Sequence, residues 1–542
     1  MNWNRLNLCL MAFVLLFDSN SMNNSGLYGS YLVRVRTIKL PRAPGSSDGF
    51  AKVLRINTEQ ALSGLDGFLS REIGTQNSQT MGPGSAVSQK VKSYEKFWLV
   101  PAAKVSCRHD FVDELRNHPD VLEIVPDEPV LLSVPDSQAI THSSRLPTMA
   151  LNGYGKGRGI RIGVIDSGIV AHPVFGNRIR AYQDFTQNPV GSMTDTVGHG
   201  SFVASLVAGA EYQGKTLSFA PESELIVARA LEVISGAGTD QEVSSRVMAF
   251  ASRILQAMQW MLDPDGNSDT EDYPQVMINS WGFSEKMPVA MTFFDEAISA
   301  WREAGIIVLF AAGNEGQKGS GTVRYPGTSP NVITIGSIND THQISRFSSI
   351  GTAAGSKPDF VFYGENLDGL GKFRNQIELG KMSGTSMATP LVGGLIALML
   401  EKDPSLTQEK IHDRLKSSAL DLGNPGWDPA FGFGLVQLTN PIDNGVLKVG
   451  TELVSVLSQC LEEKQDSQAC EDIRTRITSY VREMAEAGLW VKIQKFKAEF
   501  EQHPKVQSDL KLHQSLRQIL NFYRTEDGSG AAAGVYRSLY AH

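Results

Sequence analysis

No stretch restricts the fold of this chain more than Ser383-Gly384-Thr385-Ser386-Met387-Ala388-Thr389-Pro390 and the run Leu391 to Leu400 behind it. A small polar turn opens into an apolar segment whose proline lies close to its start, which predicts a loop entering a buried helix. Ser386 then stands at a helix N-terminus. Free backbone N–H groups and the positive end of the helix dipole favour developing negative charge there, such as the oxyanion of an attacked carbonyl. That is a place for a nucleophile, but an isolated serine there is more often only a cap, so partners elsewhere in the chain must decide.

Two candidates precede it. Ile162-Gly163-Val164-Ile165 is a short apolar run ending in Asp166-Ser167-Gly168, the pattern of a buried strand delivering a carboxylate at its C-terminal edge. Thirty-three residues beyond Asp166, Gly198-His199-Gly200 opens a second apolar, small-residue helix with an imidazole at its start. In that order, Asp-Ser-Gly, Gly-His-Gly and Gly-Thr-Ser-Met-Ala-Thr-Pro resemble the three signatures of the subtilisin-like serine proteases, a far more specific combination than any one motif. The resemblance implies that Ser386 attacks a peptide carbonyl, His199 takes and returns its proton, and Asp166 orients His199. It also implies a fourth member. Ile306 to Ala312 reads as a buried strand with Gly313-Asn314-Glu315-Gly316 as the turn beyond it, and Asn314 falls where the family has its side-chain oxyanion donor.

The same resemblance assigns the substrate-flanking segments. Ser235-Gly236-Ala237-Gly238 and Ser280-Trp281-Gly282 match stretches that bind the substrate main chain by strand addition. In Thr322-Val323-Arg324-Tyr325-Pro326-Gly327, Arg324 occupies a position that the family gives to glycine, on the floor of the main specificity pocket. A guanidinium there favours a substrate carboxylate, so Asp or Glu is expected before the scissile bond. Glu315 lies close by and offers a competing partner that would leave the pocket neutral.

At 542 residues the chain has room for several domains. Residues 1–21, with Arg5 before Leu6 to Phe17, read as a signal peptide, predicting a secreted protein, extracellular or periplasmic. Residues 27–136 alternate strands with two helices, Thr58–Ile73 and Phe111–His118, as a compact α+β unit. The unit resembles the inhibitory propeptide of the family, with its processing point near Val134 to Ser137. Residues 137–440 alternate apolar strands and helices, the pattern of an α/β fold with a mostly parallel sheet covered on both faces and chemistry at the strands' C-terminal ends. Residues 441–526 read as a helical extension and 527–542 as a flexible tail. Cys460 and Cys470 form a candidate pair for an oxidising compartment, and no cysteine spacing suggests zinc.

A net charge of −8 without a basic block gives no case for nucleic acid or for an anionic membrane surface. The chemistry requires no cofactor. The acidic loop Asp263 to Asp272, which resembles an insertion of bacillopeptidase-type members, carries hard oxygen ligands of the kind calcium takes, yet its glycine is not where an EF-hand needs it. It reads rather as a solvated acidic turn. The expected protein is a monomeric serine endopeptidase made as a zymogen, acting on polypeptides and held at first by its own propeptide. Two other functions suit such a scaffold. One is peptide ligation or macrocyclisation from the same acyl-enzyme, and the other is silent peptide binding, which retention of Asp166, His199, Ser386 and Asn314 together argues against.

Overall fold

The computed structural model describes residues 28–37, 49–73, 89–127, 129–131, 151, 154–233, 247–283, 291–373 and 376–438, with helical pieces between 454 and 518. The expected signal peptide, the processing point, Ser235 to Gly238 and the C-terminal tail lie outside the described residues. In chain order the first elements are β1 Tyr28–Val35, α1 Phe50–Glu72, β2 Val91–Phe97, β3 Ala102–Arg108, α2 Val112–Arg116, β4 Val121–Pro126, β5 Pro129–Leu131, β6 Arg161–Asp166, β7 Ile179–Asp184, α3 His199–Ala208 and β8 Glu224–Arg229. Then come β9 Glu232–Val233, β10 Val247–Phe250, α4 Ala251–Trp260, β11 Val276–Asn279, α5 Met291–Glu303, β12 Ile307–Ala311, β13 Ile333–Ile338, β14 Phe360–Tyr363, β15 Leu367–Phe373, β16 Gln376–Met382, α6 Thr385–Lys402, α7 Gln408–Ser418 and α8 Gln468–Glu486.

The chain divides into two compact units. The first contains the residues up to Pro129 together with 250–259 and 268–270. Its sheet runs β2-β3-β1-β4, antiparallel at every junction. α1 buries Thr58, Ala61, Leu62, Leu65 and Leu69, a helical stripe set against Val33, Val35, Val105 and Phe111. The helix begins eight residues before the expected Thr58, because Ala51 already belongs to the buried face. β2 ends at Phe97, and Trp98 to Val100 form a turn. Asp127 closes the unit. Its fully buried carboxylate accepts from Ser252 N at 3.0 Å and Ser252 Oγ at 2.7 Å, capping α4, and pairs with Lys104 Nζ at 3.1 Å.

The second unit holds the α/β fold. Seven strands run β14-β13-β12-β11-β6-β8-β7, and every pairing between them is parallel. Parallel strands covered on both faces must be apolar at successive positions, and all four residues of β11 and all five of β12 are buried. Ile162 and Val164, Val276 and Ile278, and Ile307 and Leu309 share one core with α3 and α6. The alternate residues Met277, Val308 and Phe310 are buried toward the opposite face. The order of strands reverses between β6 and β11, with β8 and β7 on one side and β11 to β14 on the other. That crevice is where an open α/β sheet binds its ligands. A second sheet runs β5-β10-β9, and β15 with β16 forms a hairpin. Farther along, Cys460 and Cys470 are bonded with their Cα atoms 5.7 Å apart, and Arg474 of α8 pairs with Asp509 at 2.6 Å with both side chains buried.

Candidate active site

The site is assembled from loop ends at the C-terminal edge of the parallel sheet. Asp166 is the last residue of the interior strand β6 and is fully buried. Its Oδ1 lies 2.8 Å from His199 Nδ1 and accepts the backbone N–H of Ser167 at 2.7 Å. A carboxylate can only accept, so Nδ1 carries the proton toward Asp166 and Nε2 of a neutral imidazole is left as the base. His199 begins α3, entered through Gly198 at φ 89°, a left-handed conformation that suits glycine; a Cβ there would also stand 2.3 Å from Lys372 N. Burial by itself lowers the pKa of His199, but the charge and hydrogen bond of Asp166 and then the charge of Asp195 outweigh it, leaving the pKa above the ordinary imidazole value.

Ser386 is the second residue of α6 and is buried. Proline at position 390 has no N–H to return to the Ser386 carbonyl four residues earlier. That carbonyl accepts from Ser280 Oγ at 3.0 Å, while Ser386 Oγ donates to the Ser280 carbonyl, also at 3.0 Å. Continuing the β11–β6 register of Ile278 opposite Val164 places Ser280 level with Asp166. Ser386, through Ser280, is thus tied to the strand end next to the one that carries Asp166. His199 Nε2 has no hydrogen-bond partner among the described residues, so the hydroxyl has to leave Ser280 to reach it.

Asn314 follows β12. Its Oδ1 accepts from Thr385 N at 3.0 Å and Thr385 Oγ1 at 3.1 Å, which fixes the amide plane. Nδ2 remains a buried donor without a partner among the described residues, an arrangement that has a use once an anion arrives beside it. Ser280 and Gly282 line the end of β11, but the Trp281 side chain turns inward, donating to Ile165 O at 3.0 Å and packing on Phe310. It is part of the core. Arg324 passes between two glycines: a Cβ on Gly282 would meet its Cβ at 2.9 Å, and one on Gly313 would meet its Cγ at 2.9 Å. Its Nε lies 3.1 Å from Glu315 Oε2, which also accepts from Asn314 N at 3.1 Å. The expected competitor for Arg324 is therefore in place.

Asp263, Asp265 and Asp272 each bring a carboxylate oxygen within 4.8 Å of the others, a donor set suited to a hard divalent cation. Burial, then the charge of Asp265, raises the Asp272 carboxyl above the usual range. Two residues escaped the sequence reading. Thr385 anchors Asn314, and Asp195 caps α3 from four residues ahead of His199; an acidic residue just before a helix start was the available signal.

A model of the Subtilase family matches residues 157–434, the span holding every residue of this constellation. The chain belongs to the subtilase family. It is similar to Subtilisin NAT of Bacillus subtilis subsp. natto, 31% identical over 371 residues that cover 66% of this chain and 87% of that protein. It is likewise similar to Serine protease AprX of Bacillus subtilis (strain 168), 32% identical over 333 residues, 56% of this chain and 70% of the relative. A third relative, Minor extracellular protease Epr of the same strain, is 26% identical over 358 residues, 63% of this chain and 50% of its own length. As a subtilase this protein is a serine endopeptidase, and subtilase chemistry runs on side chains and backbone without a cofactor. No described helix of this subtilase is long and apolar enough to cross a membrane.

Proposed function

We propose that the protein is a secreted serine endopeptidase made as a zymogen, with Ser386 as nucleophile, His199 as general base and acid, Asp166 as its orienting partner and Asn314 as oxyanion donor. The observation that carries this is the 2.8 Å Asp166–His199 bond at the strand end beside Ser280, the residue to which Ser386 is hydrogen-bonded. On substrate binding the Ser386 hydroxyl turns from Ser280 to His199 Nε2. Oγ then attacks the carbonyl carbon as its proton passes to Nε2. The carbonyl oxygen becomes an oxyanion held by Asn314 Nδ2 and the Ser386 N–H. Collapse expels the amine with the proton from His199, and water, activated by the same imidazole, releases the acid.

Residues 27–136 act as the inhibitory propeptide. The pairing of β5 with β10 supports this, since an extended segment just beyond the N-terminal unit adds a strand in the manner of a bound peptide. Ser235 to Gly238 and Ser280 to Gly282 flank the substrate main chain. Arg324 selects Asp or Glu before the scissile bond, with Glu315 as the competitor that the substrate carboxylate displaces. Casein cleavage that is lost both on labelling with a serine-directed phosphonate and in Ser386→Ala is the expected result. Undiminished cleavage by folded Ser386→Ala ends the assignment.

A further inference from the structure

We propose that Asp195 is a positioning residue for the peptidase reaction: its buried carboxylate ties the turn that delivers His199 to the strand end that delivers Asp166, and stands as a second fixed negative charge behind the imidazole. This rests on the catalytic roles proposed above and adds to them a residue that touches neither substrate nor the reacting atoms. Asp195 is 5% exposed and accepts four hydrogen bonds. Oδ1 takes Val197 N at 3.2 Å, Gly198 N at 2.7 Å and Ser167 Oγ at 2.8 Å, while Oδ2 takes Ser201 N at 2.7 Å.

Gly198 has no side chain with which to cap α3, so the orphan N–H of Ser201 in the first turn depends on Asp195. Ser167 completes the connection, because its Oγ also accepts from Gly200 N at 2.9 Å. Asp166 and His199 are thus each one residue from an atom bound, directly or through Ser167, to the Asp195 carboxylate. Among the described residues Asp195 has no ion-pair partner. The nearby cations are engaged elsewhere: Arg229 pairs with Asp184 at 2.7 Å, and Lys372, on the hairpin packed over α3, reaches Thr196 O at 3.0 Å from the exposed side. Asp368 on the same hairpin is held by Lys215 at 2.7 Å and Lys381 at 3.2 Å. Among the described residues, the carboxylates of Asp166 and Asp195 are therefore the charges that act on the buried imidazole, and both favour its cationic form.

The test is the pH dependence of kcat/KM on a peptide anilide for wild type and Asp195→Asn, both counted by active-site titration, with Ser386→Ala, counted by absorbance, as the control. In Asp195→Asn the acid limb should move to lower pH, and kcat per titrated site should fall on the order of tenfold or more with KM within about twofold. A residue that only supports the fold would lower the number of titratable sites and leave the acid limb in place. An unmoved limb with kcat within about twofold of wild type overturns the proposal. If Asp195→Asn is not recovered folded, Ser167→Ala decides: it removes the link through Ser167, including the bond from Gly200 N, and keeps the Asp195 cap on Ser201 N, and wild-type kcat in that variant overturns the proposal as well. Activity that survives in Ser386→Ala would instead refute the catalytic roles themselves, so the two failures are distinguishable.

Discussion

Glu315→Gln isolates the electrostatics of substrate choice. The glutamine oxygen can still accept from Asn314 N and Ser349 Oγ, as Glu315 Oε2 does at 3.1 and 3.3 Å, so the turn bearing Asn314 keeps its bonds while the charge disappears. On the proposed acidic preference, an incoming substrate carboxylate would share Arg324 with Glu315, whose side chain is 17% exposed against 10% for the arginine. Two carboxylates about 5 Å apart at an effective dielectric of about 20 repel by about 3 kcal/mol. Screening at a partly open pocket reduces that to between about 1.4 and 2.7 kcal/mol, or roughly 10- to 100-fold in kcat/KM. The assay compares matched peptide anilides carrying Glu, Gln or Phe before the scissile bond. The Glu/Gln ratio should rise by that factor in Glu315→Gln and return toward unity in the double variant with Arg324→Gly. A ratio unchanged by Glu315→Gln, or a gain that survives removal of Arg324, would show that the guanidinium does not face the substrate. A wild type that prefers Phe, Leu or Lys refutes the acidic assignment outright.

Asn314→Ala should lower kcat about 10²- to 10³-fold with little change in KM. Its thermal midpoint should stay near that of the wild type, since losing the acceptor for Thr385 N is offset by losing the buried, unsatisfied Nδ2. Because the fold raises the His199 pKa, activity should require a pH above the ordinary imidazole range, read from the acid limb of kcat/KM. The sign for stability is opposite: His199 stabilises the folded state below its unfolded-state pKa, and that contribution is lost as pH rises through the folded value, which a Ser386→Ala unfolding series across pH would record. Asp127→Ala, measured by denaturant unfolding of the Ser386→Ala chain, should cost about 1–3 kcal/mol by uncapping α4 and leaving Lys104 without its carboxylate. Asp272→Asn should raise the thermal midpoint at neutral pH in chelator, because it removes one of three crowded carboxylates. Added calcium should raise the midpoint of the wild type and not that of the variant.

The parallel sheet was legible because burial on both faces forces apolar runs, and Ile162 to Ile165 and Ile306 to Ala312 have no other use for such composition. The polar turns ending those runs were legible for the same reason. β3 was not, since Ala102-Ala103-Lys104-Val105-Ser106-Cys107 pairs small residues with polar ones and gives a faint alternation. The hairpin of β15 and β16 was hidden by its glycines, which read as breakers. In the fold Gly369 and Gly371 are the flat bed on which the Phe202 ring lies, and a Cβ on Gly369 would stand 2.7 Å from it. Trp281 shows what a motif leaves open: the match assigned its main chain and said nothing of the indole, whose N–H is used in the core. Direction of a side chain is set by neighbours distant in sequence, and no local pattern encodes it. The same holds for Asp195, whose role depends on Ser167, twenty-eight residues away.

The bond between Cys460 and Cys470 bears on how such an enzyme survives its own kind. Between the two cysteines lie Glu462, Glu463 and Asp466, three of the side chains that a neighbour with the proposed acidic preference would seek. A cut after any of them opens the backbone but leaves both new ends on one molecule, because the sulfur bridge spans the break. Wear at this spot would accumulate without loss of mass, and the damaged molecules would separate into two fragments only when a reductant is added.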